Sequence, residues 1–199
     1  MCVSMLRFLG YGWIERLFVK PTFFFKYWGF HWVEPLSPAG MHGLFVGLSV
    51  AALCMAIGLL FRLSSTILTA GLVYFQLLDV STYLNHYYLA ALLAGLLAVS
   101  PAGRWLSLDN WLRRRFSRRG TSVEAASPWI AIGWLYVFRI QVGLVYVFAG
   151  LAKLQSDWLI HAQPMRIWLG ANTELPLIGP LFTLDGVPLL MSWVGFVFD

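Results

Sequence analysis

The chain has 199 residues, of which 59% are apolar, 17% aromatic and only 12% charged, and its mean hydropathy is +0.72. A soluble domain carries about a quarter charged residues, and a surface this poor in charge cannot face water. Secreted disulfide scaffolds, disordered tails and nucleic-acid modules are therefore excluded, and the composition points to an all-α, polytopic transmembrane helical bundle.

Charge-free runs mark the spans, because a charge at the bilayer centre is costly. Met5–Phe18 is apolar and aromatic but carries Arg7, Glu15 and Arg16. It reads as a shortened first span or an interfacial helix, with the span favoured because it places Arg7 on the inner side. Pro21–Val33 is crowded with Phe, Tyr and Trp, as where a chain runs along the headgroup layer. Pro35–Phe61 is free of charge and is expected to end at Arg62. Leu63–Leu78 follows, closed by Asp79, and His86–Leu97 is the next run, stopped at Ser100–Gly103. Beyond a basic loop, Pro128–Ala152 is apolar except for Arg139, and Gly186–Phe198 is the last run. At roughly 20 residues per helical crossing, this gives about five to six spans.

The net charge of +5 is concentrated in one place. Residues 101–127 hold Arg104, Arg113, Arg114, Arg115, Arg118 and Arg119 against Asp109 and Glu124, a local excess of +4. Short basic loops between spans stay cytoplasmic, so this is a topology signal and no nucleic-acid partner is expected. Cys2 and Cys54 make no disulfide framework. His31, His42, His86 and His161 lack ligand spacing, so no metal site is expected.

Ionisable groups within the spans are the informative ones, since burial penalises them unless they are paired or used. Arg139, Gly143, Tyr146, Gly150, Lys153 and Asp157 recur at steps of three and four, one helical stripe that is polar or small throughout. That stripe is expected to face the bundle interior, where glycines permit close helix approach. Burial of Lys153 would favour its neutral form and let it act as a general base; the alternative is a lysine snorkelling to the interface beside Asp157 and Trp158. Arg139 reads as an ion-pairing or carbonyl-clamping group. His86, at a span end, is either functional or an interfacial hydrogen-bonder. Crossing parity places His86 and Lys153 on the same outer side. Asp79 and Asp157 read as capping or ion-pair groups.

The segments Leu78-Asp79…Asn85-His86-Tyr87-Tyr88-Leu89 and Val145-Tyr146-Val147-Phe148-Ala149-Gly150-Leu151-Ala152-Lys153-Leu154…Asp157-Trp158 resemble the membrane domain of vitamin K-dependent gamma-carboxylases. Pro164-Met165, Trp168-Leu169 and Phe25–Phe30 are similar to its prokaryotic relatives, which share the horizontally transferred transmembrane domain, HTTM. The similarity runs weakly along nearly the whole chain. It implies that Lys153 deprotonates vitamin K hydroquinone or a related quinol. Oxygenation then yields a strong base that removes a glutamyl γ-proton, carbon dioxide adds, and the quinone leaves as its epoxide. His86 supports this chemistry, while Asn85, Tyr146 and Arg139 are expected to bind the cofactor. The partners implied are the lipid bilayer and a glutamate-containing peptide or protein, in a prokaryotic plasma membrane with loop 101–127 cytoplasmic.

Two departures stand out. Ala152 occupies the place of a second lysine in the animal enzyme, and the resemblance stops near Gly195–Asp199, where the family's membrane domain goes on. The chain is thus expected to be a partial HTTM domain, residues 1–199. The competing expectation is a non-catalytic, truncated relative that binds lipid, quinone or a partner chain.

Overall fold

A computed structural model describes residues 1–104, 107–116 and 132–198. These residues are mostly helical, with no strands among them, as the composition leads one to expect. The chain divides into two compact units, Met1–Trp134 and Leu135–Asp199.

The first unit begins with α1 (Cys2–Gly10). Gly12, at φ +65°, breaks the helix, and a second short helical piece follows over residues 13–19, ending in the π-helical turn Glu15–Val19. The single span expected over Met5–Phe18 is thus two short pieces. Nine helical residues cover only about 14 Å, less than half of a ~30 Å hydrocarbon core. Residues 21–33 are non-helical and carry the exposed side chains of Phe23, Phe25, Trp28 and Trp32.

Helices α2 (Pro38–Ile57) and α3 (Phe61–Leu78) are each long and apolar enough to cross a membrane. Ser37 caps α2, its hydroxyl accepting from the Gly40 N–H at 3.2 Å. The break between them is not at Arg62, as the charge pattern implied, but four residues earlier. Gly58, at φ +71°, closes α2 in the left-handed conformation, and Arg62 lies in the first turn of α3. Backbone conformation ended the helix before the charge was reached. Helix α4 (Asn85–Val99) is apolar but shorter, and α5 (Leu108–Phe116) lies within the basic segment. Arg118, Arg119 and Glu124 of that segment lie outside the described residues.

Five rings hold the first unit together. Phe8 of α1 stacks on Phe45 of α2 at 4.9 Å, Phe45 meets Phe75 of α3 at 5.4 Å, and Phe75 meets Tyr87 of α4 edge-on at 5.6 Å. Phe18 touches Phe45 and Phe75 from the π-helical turn. Each such pair contributes about 0.5–1.5 kcal/mol beyond area burial. Between apolar helices in lipid, packing of this kind is a main source of cohesion. Gly71 lets α3 approach α2 closely: a Cβ there would lie 2.4 Å from Leu48 Cδ2.

The second unit contains α6 (Ile132–Lys153), the third helix long enough to span, whose first residues lie before the unit boundary. It continues through α7 (Ser156–Leu159), α8 (Gln163–Gly170) and α9 (Gly186–Phe198). Helix α9 coincides with the last apolar run of the sequence.

Gly58→Ala tests the α2–α3 turn. An added Cβ would lie 2.6 Å from Ser107 Cα, and the left-handed backbone is strained for alanine. The detergent-solubilised variant should lose at least about 1–2 kcal/mol in an unfolding titration. Gly43→Ala, where a Cβ meets nothing within 4 Å, should leave the midpoint near that of the parent.

Candidate functional site

The surroundings of Lys153 are built where α6 stops. The last residue of α6 is Lys153, and a tight turn follows in which the Gln155 N–H donates to the Lys153 carbonyl at 2.8 Å. The expected stripe is therefore interrupted: Asp157 lies on α7, not on α6. The turn brings α7 against α9. Trp158 Nε1–H donates to the Ser192 carbonyl at 2.9 Å, and the Ser192 hydroxyl donates back to the Trp158 carbonyl at 2.8 Å. Trp193 Nε1–H donates to the Leu159 carbonyl at 3.1 Å. Ser192 is fully buried.

This junction receives the lysine. Lys153 Nζ donates to the Gly195 carbonyl at 2.8 Å and lies 5.0 Å from the Trp158 ring centroid. A carbonyl oxygen and the face of an indole are both partners of a positively charged nitrogen. Two turns earlier on α6, Tyr146 packs edge-on against Phe198 of α9 at 6.1 Å. Tyr146 and Lys153 thus meet the same helix. Arg139 is exposed and makes no hydrogen bond or ion pair with the described residues, so neither the ion pair nor the carbonyl clamp is formed there. The stripe is not a buried face either: no residue of α6 is buried, and Arg139, Gly143 and Tyr146 are exposed. The sequence pattern identified which residues share a face but not whether a helix covers it.

Asn85 and His86 belong to the first unit. Asn85 and His86 open α4, both exposed, with the His86 ring 4.3 Å from that of Tyr87. Tyr87 points the other way into the core, where its hydroxyl pairs with Ser4 Oγ at 2.6 Å. Asp79 is nearly buried and caps the short 3-10 turn before α4, accepting from the Ser81 N–H at 2.8 Å. The Val80 N–H donates to the Phe25 carbonyl at 2.8 Å, joining the aromatic segment to this end of the unit. Burial first, then the nearby Tyr83 and Asp79, push the Tyr27 hydroxyl above the usual tyrosine range. Tyr83 is likewise raised, by burial and by Tyr88. Among the described residues, no three or more His, Cys, Asp or Glu side chains converge as a metal site.

The whole chain, residues 1–199, matches the model of the HTTM domain. It belongs to the HTTM-domain family. The HTTM domain occurs in gamma-carboxylase-like proteins, and with three helices able to span a bilayer among its described residues this HTTM chain is an integral membrane protein. No solved structure matches it. Within this HTTM chain Asn85 and His86 lie together on one unit, while Arg139, Tyr146 and Lys153 lie on one helix of the other. Sequence reasoning missed Ser192 and Gly195. Their signal was present: after Gly186 at its start, they are the small residues of α9, at a spacing of three.

Two measurements follow. Lys153 is the only lysine beyond Lys26, so its acylation is resolved by peptide mass spectrometry. Trp158→Leu should speed that acylation by roughly two- to thirty-fold, the range of a cation–π contact, and Trp158→Phe by less. Equal rates in all three proteins would remove the indole from the site. For Tyr27, the neutral phenol is favoured in the folded chain, so its contribution to stability is complete below about pH 10 and is lost as pH rises through the folded value. Tyr27→Phe should flatten the fall in unfolding midpoint above that pH.

Proposed function

We propose that this HTTM chain is a gamma-carboxylase-like membrane protein that acts on a lipid-soluble quinol, with Lys153 as the base. The supporting observation is the seat of its amine, between the Gly195 carbonyl and the Trp158 face in a chain whose full length matches HTTM. The donor set fits a hydroquinone. Tyr146 supplies a hydroxyl on the same helix, and exposed Leu144, Val147, Phe148 and Leu151 give α6 an apolar surface suited to a prenylated ring.

A bound vitamin K-type hydroquinone would supply the electrons that reduce oxygen, and that oxidation would drive glutamyl deprotonation and so carbon dioxide addition. The protein's task is proton transfer. Lys153 Nζ would accept the hydroquinone O–H proton, and the Gly195 carbonyl and the Trp158 ring would hold the resulting ammonium. This places the favourable charge where charge develops. The Trp158–Ser192 hydrogen bonds hold the ring in place as the amine changes state. His86 and Asn85 carry the supporting and cofactor-binding roles that the family resemblance implies, and Arg139 would provide a fixed positive charge for an anionic reactant. The acceptor of carboxylation is a peptide glutamate.

The test uses the purified chain in lipid nanodiscs with vitamin K hydroquinone, oxygen and bicarbonate. Epoxide should form, and Lys153→Ala should lower its rate by about 100-fold or more, as removal of a general base does. Undiminished epoxide formation by Lys153→Ala would refute the assignment. Absence of epoxide from the intact chain would favour a non-catalytic protein that only binds lipid, quinone or a partner.

A further inference from the structure

Helix α5 has no part in the proposed chemistry, yet it is anchored by several hydrogen bonds. Ser107 caps it, the hydroxyl accepting from the Asn110 N–H at 3.1 Å. Asp109 in its first turn reaches the start of α3, where Oδ1 accepts from the Leu60 N–H at 2.9 Å and Oδ2 from the Phe61 N–H at 3.1 Å. The Asp109 N–H in turn donates to the Gly58 carbonyl at 3.2 Å. A carboxylate at a helix N-terminus meets unpaired N–H groups and the positive end of the helix dipole. Helix α5 is thereby held at the turn joining two membrane-spanning helices, α2 and α3. That turn lies at the membrane surface, so α5 lies at headgroup level.

Leu108, Trp111, Leu112 and Arg115 stand at i, i+3, i+4 and i+7 and so share one stripe of the helix, which suits that position. Leu108 and Leu112, one turn apart, are half-buried. Trp111 is 59% exposed, and Arg115, one turn further on, is also exposed. An interfacial helix carries this pattern, with an indole for the headgroup boundary and cations for the lipid phosphates. Arg113, Arg114 and Arg115 are consecutive in the helix, and its one acidic side chain, Asp109, is already engaged by α3. The charge complement of such a run is an anionic surface.

We propose that α5 is a binding element for anionic phospholipid headgroups, clamped at the bilayer surface by Asp109. Each arginine near an anionic leaflet strengthens binding by roughly five-fold. The assignment is independent of any quinol chemistry.

The probes are dioctanoyl-phosphatidylglycerol and dioctanoyl-phosphatidylcholine, titrated into the detergent-solubilised full chain. The glycerol lipid should bind at least about ten-fold more tightly, with an advantage that shrinks as salt rises. The triple substitution R113Q/R114Q/R115Q should abolish that preference while helix content and unfolding midpoint stay unchanged. R113K/R114K/R115K should keep most of it, and Asp109→Ala should weaken it by freeing the helix. An unchanged preference in the glutamine variant, or equal binding of both lipids by the parent, would overturn the proposal. So would equal competition by soluble glycerol phosphate, which would make the site one for a free anion. Tight binding of an acidic peptide or nucleic acid without lipid preference would likewise overturn it in favour of that partner.

Discussion

Backbone amides and carbonyls inside a bilayer find no water, so each must find a partner within the protein. Helix interiors meet this demand automatically; helix ends do not. The described ends of this protein are organised around that requirement. Asp109 supplies both carboxylate oxygens to the first amides of α3. At the other end of the same unit, the Val80 amide is met by the Phe25 carbonyl and Asp79 receives the Ser81 amide. In the second unit, Trp158 and Ser192 exchange hydrogen bonds across the α7–α9 junction. Without these partners the turns would have to move into water.

Once the ends are satisfied, packing decides how close the helices come. In the first unit the rings of Phe8, Phe18, Phe45, Phe75 and Tyr87 form one continuous aromatic cluster. Gly71 is bare where Leu48 presses against α3. The same cluster sets up the start of α4, because Tyr87 is anchored inward and leaves the adjacent Asn85 and His86 outward. A core residue thus dictates the exposure of its neighbours in the chain. Among the described residues the second unit has little buried apolar surface, and indole and hydroxyl hydrogen bonds join α7 to α9 beside Lys153.

That local chemistry bears on what the lysine can do. An amine near apolar surface alone would be poorly solvated in its charged form. Here the Gly195 carbonyl and the Trp158 face provide for the ammonium without water. A base that ends its step charged benefits from such a preorganised seat. The exposed apolar flank of α6 is equally suited to lipid and to a lipid-soluble reactant. Membership of the HTTM family joins this geometry to gamma-carboxylase-like proteins, while the basic α5 gives the first unit its own contact with the bilayer surface.

Composition and charge spacing determined the helical membrane class, the extents of α3, α4 and α9 to within a few residues, and the residues that share a face of α6. These properties are local: helical periodicity and the cost of a charge in lipid operate within a dozen residues. Tertiary structure decided the rest. It placed the α2–α3 break at Gly58 instead of Arg62, since the turn depends on backbone conformation and on Ser107 and Asp109 beyond α3. It divided the N-terminal run in two at Gly12, left the stripe on α6 uncovered, and separated Asp157 from it. Above all it chose the partner of Lys153, a carbonyl 42 residues further along the chain. Backbone carbonyls are identical in every residue, so no sequence pattern marks which one a lysine will reach; only the packing of α9 against the end of α6 does.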